Sequence, residues 1–254
     1  MNATLERCLR RVLSLPAIAT LPTRVRRGVA AGAAWTCFPY SAYWRGTHEP
    51  EAQQAVEGLM DWTGKSVWDL GSHFGLFAVG LGRRVGPTGY VAAFEPFPEN
   101  FARLALHIRR NRLDWVHPFQ IAASDHRAKD RFLLYKDGAS TTAHLLYEGE
   151  TWDPSIPTIT VELHALDDLV DAGKLRLPDF VKIDVEGHGH KAIAGAIRAI
   201  AASRPIILMG MHSPLEVAET EKLLLPLGYR FESVKPGAPA DKVGWDYLLR
   251  PGGG

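Results

Sequence analysis

Cysteine is scarce in this 254-residue chain, with only Cys8 and Cys37. Two cysteines this far apart make neither a CxxC motif nor a disulfide framework, and so sparing a use points to a reducing, cytoplasmic setting. An excess of one charge is also missing, because 29 basic residues face 28 acidic ones. That balance removes the chain-wide basic field of a general nucleic-acid binder. No apolar run approaches the roughly 18–20 residues of a membrane span. The expected partner is therefore a small molecule, with no nucleic acid and no transmembrane segment. At 46% hydrophobic and 22% charged residues, the composition excludes disorder and coiled coil. The length allows one large domain with an appendage.

What charge there is lies unevenly. Residues 1–45 hold seven arginines and one acid, Glu6, so the remainder is acidic on balance. Within that segment Leu5, Cys8, Leu9, Val12 and Leu13 recur at helical spacing while Arg7, Arg10 and Arg11 fall elsewhere on the wheel, and Pro16 ends the pattern. This predicts an amphipathic arm that packs on the domain or on a second copy. A membrane-surface role and a targeting peptide are the alternatives.

From residue 66 short apolar runs alternate with helical periodicity, the pattern of parallel βαβ units. Strands are expected near Val67–Leu70, Tyr90–Phe94, Phe119–Ala122, Phe180–Ile183 and Ile206–Met209, with helices over Pro98–Asn111 and His190–Ala201. Phe132–Tyr135 and Ile159–Leu163 read as an inserted antiparallel excursion, and Tyr229–Val234 with Trp245–Leu249 as an antiparallel closing pair. The expected fold is an α/β, Rossmann-like doubly wound sheet (residues 66–254) behind an N-terminal helical arm (1–65).

The chemistry begins at V-W-D-L-G-S-H-F-G, a strand ending in Asp69 followed by Gly71, Ser72 and Gly75 at the start of a helix. Glycines at such a turn admit a ligand close to the backbone, and the helix start attracts a carboxylate or phosphate. The spacing is D-x-G-x-x-x-G, not the G-x-G-x-x-G of a pyrophosphate site. An acid at the turn suits a cationic ligand without phosphate, and S-adenosylmethionine is such a ligand. The next strand ends in Glu95-Pro96, placed to accept from both hydroxyls of a ribose.

A third strand ends in Lys182-Ile183-Asp184-Val185-Glu186-Gly187-His188-Gly189-His190. Asp184 faces the same crevice as Asp69, while Glu186 serves either chemistry or the dipole of the next helix. The group lacks a recognised metal-ligand set, so no metal is expected. A fourth strand ends in His212, whose neutral imidazole, with an ordinary pKa of about 6.5, is suited to take a proton from an attacking hydroxyl. The candidate catalytic residues are His212, Asp184 and Glu186.

These residues resemble the FkbM-type S-adenosylmethionine-dependent methyltransferases. The resemblance runs from Gly46-Thr47-His48-Glu49-Pro50-Glu51 through the Asp69–Gly75 loop, Glu95-Pro96 and Ala122-Ala123-Ser124-Asp125. It continues over Leu166-Asp167-Asp168-Leu169 and Lys182–Gly187 to His212. It implies a class I methyltransferase-like fold and methylation of a hydroxyl on a sugar, polyketide or other secondary metabolite. It also implies a cofactor site drawn from Asp69, Gly71, Ser72, Gly75, Glu95, Pro96, Ala123, Asp125 and Asp184. Two departures stand out, since the resemblance would place glutamates where this chain has Gly189 and Gly210. They leave open altered acceptor chemistry, a takeover by His188 or His190, or a cofactor-binding scaffold without turnover. A nicotinamide-dependent oxidoreductase is the remaining rival, disfavoured by the glycine spacing.

Overall fold

The computed structural model describes residues 21–36, 42–134, 144–145 and 153–252. The amphipathic helix expected over Leu5–Leu13 and both cysteines lie outside them. The described residues between 21 and 65 do not form one helical arm. They form a hairpin, β1 (Pro22–Arg24) and β2 (Ala34–Thr36), then two short helices, α1 (Ala42–Arg45) and α2 (Pro50–Val56).

The main sheet follows, built from β3 (Ser66–Leu70), β4 (Tyr90–Phe94) and β5 (Val116–Phe119), with α3 (Leu76–Val85) and α4 (Pro98–Arg110) between them. The chain then leaves for a four-stranded sheet of β6 (Ala122–Ala123), β7 (Ala128–Leu133), β8 (His144–Leu145) and β9 (Thr158–His164). It returns through α5 (Leu166–Asp171) to β10 (Phe180–Ile183), α6 (Gly189–Ala194), α7 (Ile197–Ser203), β11 (Ile206–Met211) and α8 (Pro214–Leu224). An antiparallel pair, β12 (Tyr229–Ser233) and β13 (Trp245–Pro251), closes the sheet in the order β12-β13-β11-β10-β3-β4-β5.

Strand periodicity explains the layers. Val67, Val91, Ala93 and Phe180 enter one core with α3 and the N-terminal hairpin, while Trp68, Ala92, Phe94 and Val181 enter the other. Alternate residues face opposite sides of a pleated strand, so a strand apolar throughout is covered on both faces. The hairpin is part of the first layer. Trp35 is 1% exposed and stacks on His107 of α4 at 3.6 Å. Asn111 exchanges side-chain bonds of 2.8 Å with both the N–H and C=O of Ala34, and Arg84 donates to the carbonyl of Val29. Amphipathic spacing could not reveal this segment, because irregular backbone and single aromatic anchors hold it.

Two boundaries differ from expectation for local reasons. β5 begins at Val116 and includes Pro118, which a sheet tolerates on an edge strand, and β5 is the edge. Residues 122 and 123 belong to the second sheet. The helix expected over His190–Ala201 breaks at Gly195, where a Cβ would lie 1.9 Å from the carbonyl oxygen of Ser124. Asp167 then accepts from the amides of Arg198 and Ala199 at 3.0 and 2.9 Å, capping α7 from a distant segment.

Candidate active site

Strand order reverses between β3 and β10. β4 and β5 extend the sheet to one side of β3 and β10 and β11 to the other, and ligands of open α/β sheets bind outside the carboxyl ends at such a switch point. A cavity lies there. Of the sequence-predicted residues, Asp69, Gly71, Ser72, Glu95, Pro96, Ala123, Asp184 and Glu186 line it. Gly75, Asp125 and His212 do not. Gly75 starts α3 at φ 90°, its face pressed on Leu104, and Asp125 is exposed and ion-paired to His126 at 2.6 Å.

The β3 turn is tightly built. A Cβ on Gly71, at φ 80°, would stand 1.9 Å from the carbonyl oxygen of Asp184, so the β3 and β10 ends meet backbone to backbone. Asp69 is 1% exposed and neither carboxylate oxygen has a hydrogen-bond partner among the described residues. Burial raises its pKa to about 6 against the pull of Lys182. Across the turn, Glu95 accepts from the amides of His73 at 2.9 Å and Phe97 at 2.8 Å. Burial raises Glu95 to about 7, although these bonds favour the ionised form. The far end is apolar, with Ile121, Ala122, Phe132 and Leu145 beside Ala123.

A charged network spans the other end. Lys182, 4% exposed, stands 3.1 Å from Asp184 Oδ2 and 3.4 Å from Glu49 Oε2, and its ammonium lies over the Phe77 ring. His212 Nε2 is 3.3 Å from Asp184 Oδ1 and 3.8 Å from Glu186 Oε2. Its Nδ1 and its backbone N–H meet Glu216 Oε2 at 3.3 and 2.7 Å. Burial works against a charge on His212, yet Asp184 and Glu216 outweigh it and raise the imidazole to about 10. Burial likewise opposes ionisation of Asp184, and Lys182 with His212 overcomes it, holding Asp184 well below the usual carboxylate range. Against the expectation of a neutral imidazole at 212, this setting favours the charged ring, with a carboxylate oxygen near each nitrogen. Asp184, Glu186 and His212 present ligand atoms within 4.8 Å of one another, a grouping of a size a divalent cation fits.

Gly189 and Gly210 have a spatial explanation. A Cβ at 189 would lie 2.7 Å from Glu216 Oε1, which accepts from the Gly189 amide at 2.8 Å. One at 210 would lie 3.2 Å from Asp246 Oδ1, its register partner on β13. Of the two histidines, His188 is buried, bonds Ser124 Oγ at 3.1 Å and is lowered to about 4 by burial, then by Lys191 and His190. His190 does not line the cavity.

Sequence reasoning missed Tyr43, Glu216 and Asp246, and gave no role to His48, Glu49 and His73, which lie within the stretches that carry the resemblance. Tyr43, His48 and Glu49 come from the N-terminal segment, and His48 Nε2 pairs with Glu49 Oε1 at 2.6 Å. A signal existed for Glu216, since Ser213-x-x-Glu216 is a capping-box spacing and Ser213 does cap α8.

Sheet order, switch-point cavity and strand-end acids define the class I methyltransferase fold. The family model for the methyltransferase FkbM domain matches residues 69–231, and the chain belongs to that family. A curated relative, the hexuronic acid methyltransferase AglP of Haloferax volcanii, is 27% identical over 158 residues, 62% of this chain and 60% of that protein. The crystal structure of methyltransferase FkbM from Methylobacillus flagellatus KT superposes with a TM-score of 0.52 at 21% identity, over 76% of this chain and 44% of that one. An S-adenosylmethionine-dependent O-methyltransferase from Thermotoga maritima gives 0.48 at 14% identity, over 92% and 78%. Among the described residues no helix is long and apolar enough to cross a membrane.

Proposed function

We propose that the chain transfers a methyl group from S-adenosylmethionine to a hydroxyl oxygen of a carbohydrate or other small secondary metabolite. The observation that carries this reading is Asp69, a carboxylate buried without a partner in the cavity wall beside Glu95. A buried, unpaired acid is costly and its natural complement is a cation. The cofactor's ammonium meets that need, Glu95 suits its ribose hydroxyls, and the slot from Ile121 to Leu145 suits a flat, apolar-faced base. The acceptor class draws support from the relative's name, which specifies a hexuronic acid.

When bound, S-adenosylmethionine supplies an electrophilic methyl on a sulfonium. The chain's own task is alignment and proton removal. An alkyl hydroxyl loses its proton only as the new C–O bond forms; Asp184 and Glu186 both line the cavity there, and because Lys182 and His212 hold Asp184 well below the usual carboxylate range, Glu186 is the one placed to receive it. His212, charged and clamped between Asp184 and Glu216, orients those carboxylates and does not act as the base. Lys182 does the same from the opposite side.

The test is calorimetry of the full chain with S-adenosylmethionine and with NAD, followed by accurate mass of products formed from methyl-labelled cofactor and methyl glucuronoside or source metabolites. Heat from the first ligand alone, and a labelled methyl ether, are the expected results. NAD binding without S-adenosylmethionine binding would overturn the reading in favour of an oxidoreductase.

A further inference from the structure

The N-terminal hairpin and the short helix after it bear charge of one sign. Residues 21–48 include Arg24, Arg26, Arg27 and Arg45 and no acid, and all four arginines are exposed. Arg83, exposed near the end of α3, joins them. Elsewhere arginines meet acids, as Arg198 does Asp171 and Arg250 does Glu232, each at 2.8 Å. None of the five at the hairpin pairs with a carboxylate among the described residues.

Local contacts gather these cations. Arg24 donates to the carbonyl of Gly32 at 2.8 Å and Arg83 to that of Ala31 at 2.5 Å, so both guanidiniums cover the hairpin turn. Arg26 and Arg45 both stand over the Trp44 ring, 4.8 and 5.6 Å from its centre, and the Arg26 amide donates to the Trp44 carbonyl at 2.9 Å. Carbonyls and a ring hold the arginines in place without neutralising them. Like charges set this close repel one another, and the potential they raise attracts an anionic surface.

Two features choose which surface. A face that binds single-stranded nucleic acid adds exposed rings on which bases stack. Here Arg26 and Arg45 already occupy Trp44, while Trp35 and Tyr43 are buried. What stands beside the arginines is aliphatic: Leu21, next to β1, is 51% exposed. It is preceded in sequence by the Leu5–Leu13 spacing with its own arginines. Basic residues interleaved with apolar ones are the composition that meets anionic lipid. We infer that the hairpin and α1 dock the chain on a membrane surface rich in anionic phospholipid, with Arg26, Arg27 and Arg45 against the headgroups. Tyr43, on the same helix as Arg45, lines the cavity, so docking brings the N-terminal wall of the cavity close to that surface.

Co-sedimentation of the full chain with vesicles tests this. Vesicles of equal parts phosphatidylglycerol and phosphatidylcholine should bind it, and phosphatidylcholine alone should not. Raising salt from about 0.1 to about 1 M, which shortens the Debye length from about 10 to about 3 Å, should release it. Each arginine at an anionic surface changes the partition about fivefold, so Arg26→Gln, Arg27→Gln and Arg45→Gln combined should weaken binding roughly 100-fold. Arg26→Lys, Arg27→Lys and Arg45→Lys combined keeps the charge and should keep the binding. A cooperative thermal melt of both variants establishes that each is folded, whatever the chain's activity. Absence of binding to the anionic vesicles overturns the inference, as does equal binding to phosphatidylcholine alone. Undiminished binding by the glutamine variant overturns it too, because residues outside the hairpin and α1 then carry the contact. Release from the vesicles by oligouridine, with tighter binding to it, would replace the membrane by a nucleic acid.

Discussion

Replacing Glu216 by glutamine isolates the role of the buried carboxylate behind His212. Glu216 is 0% exposed, and its two oxygens serve three donors: the Gly189 amide, the His212 amide and the His212 ring. Glutamine keeps the shape but turns one oxygen into an NH2 that faces an N–H. The change removes one charge-assisted bond, about 1.5–3 kcal/mol, and strands a buried donor at about 1–3 kcal/mol. Together these span about 2.5–6 kcal/mol, which brackets the roughly 3–5 kcal/mol for breaking a buried pair from one side, the figure used below. In a chain of this size each kcal/mol moves Tm by roughly 2–4 °C, so a fall of about 6–20 °C is expected at pH 7.

The pH dependence supplies the sharper check. The folded pKa of His212, about 10, lies above its unfolded value of about 6.5. Its pairing therefore stabilises fully below pH 6.5 and is lost as pH rises through about 10. Scanning calorimetry of wild type and Glu216→Gln at pH 7 and pH 10.5 should show a gap that narrows at the higher pH. A variant within 2 °C of wild type at pH 7 refutes the energetic argument, and a constant gap refutes the charge on His212.

Glu95→Gln is expected to weaken S-adenosylhomocysteine binding by about 1.5–3 kcal/mol, read by calorimetry at pH 8 where Glu95 is ionised, if it accepts from the ribose hydroxyls as proposed. An unchanged dissociation constant would make Glu95 a brace for the His73 amide alone. Asp69→Asn should stabilise the ligand-free chain while impairing cofactor binding. Asp69's folded pKa of about 6 exceeds its unfolded value of about 3.9, so the buried charge destabilises above pH 6 and not below pH 4, by about 2–3 kcal/mol in full. Chemical denaturation at pH 7.5 and pH 3.5 reads that difference, and an asparagine variant no more stable at pH 7.5 sinks it. Turnover should survive EDTA, since charged His212 and Lys182 already offset Asp184 and Glu186. Loss on chelation with recovery on Mg²⁺ would turn the Asp184, Glu186 and His212 grouping into a metal site.

The parts of the fold legible in sequence are those where one face or both faces of an element are buried continuously. β3, β4, β10 and β11 announce themselves as apolar runs, and their carboxyl ends fix where Asp69, Glu95 and Asp184 must gather. The N-terminal wall was not legible as part of the site, because Tyr43 reaches the cavity from a four-residue helix, and His48 and Glu49 from the bend before a seven-residue one, whose positions depend on packing against the main sheet. Asp125 illustrates the opposite failure. It follows a strand in sequence, but that strand, β6, belongs to the second sheet and carries the acid outward to His126. His212 was placed correctly at a strand end, yet its protonation depended on Glu216, an acid four residues along that reaches back to it once α8 begins.

The glycines at 189 and 210 bear on whether this crevice is built for turnover or only for binding. Counted along the chain, two acids implied by the family resemblance are missing. Counted in space, Glu216 and Asp246 stand where side chains at those positions would be, 2.7 and 3.2 Å from the respective Cβ sites. Each arrives from a different element, α8 and β13, and each neighbours His212: Glu216 bonds its ring, and Asp246 feels its charge together with those of Lys182 and Asp184. Burial raises Asp246, the expected consequence of crowding another carboxyl behind an acidic cluster. Glu216 is buried and Asp246 half-buried, and holding acids there costs stability that an apolar residue would return. The carboxylates that fill the space at 189 and 210 thus keep the crevice beside His212 acidic, as the proposed catalytic reading requires. They also explain why a glutamate at 189 is not a route to higher activity, because its first carbon would crowd Glu216 Oε1, the other oxygen of the carboxylate that holds His212.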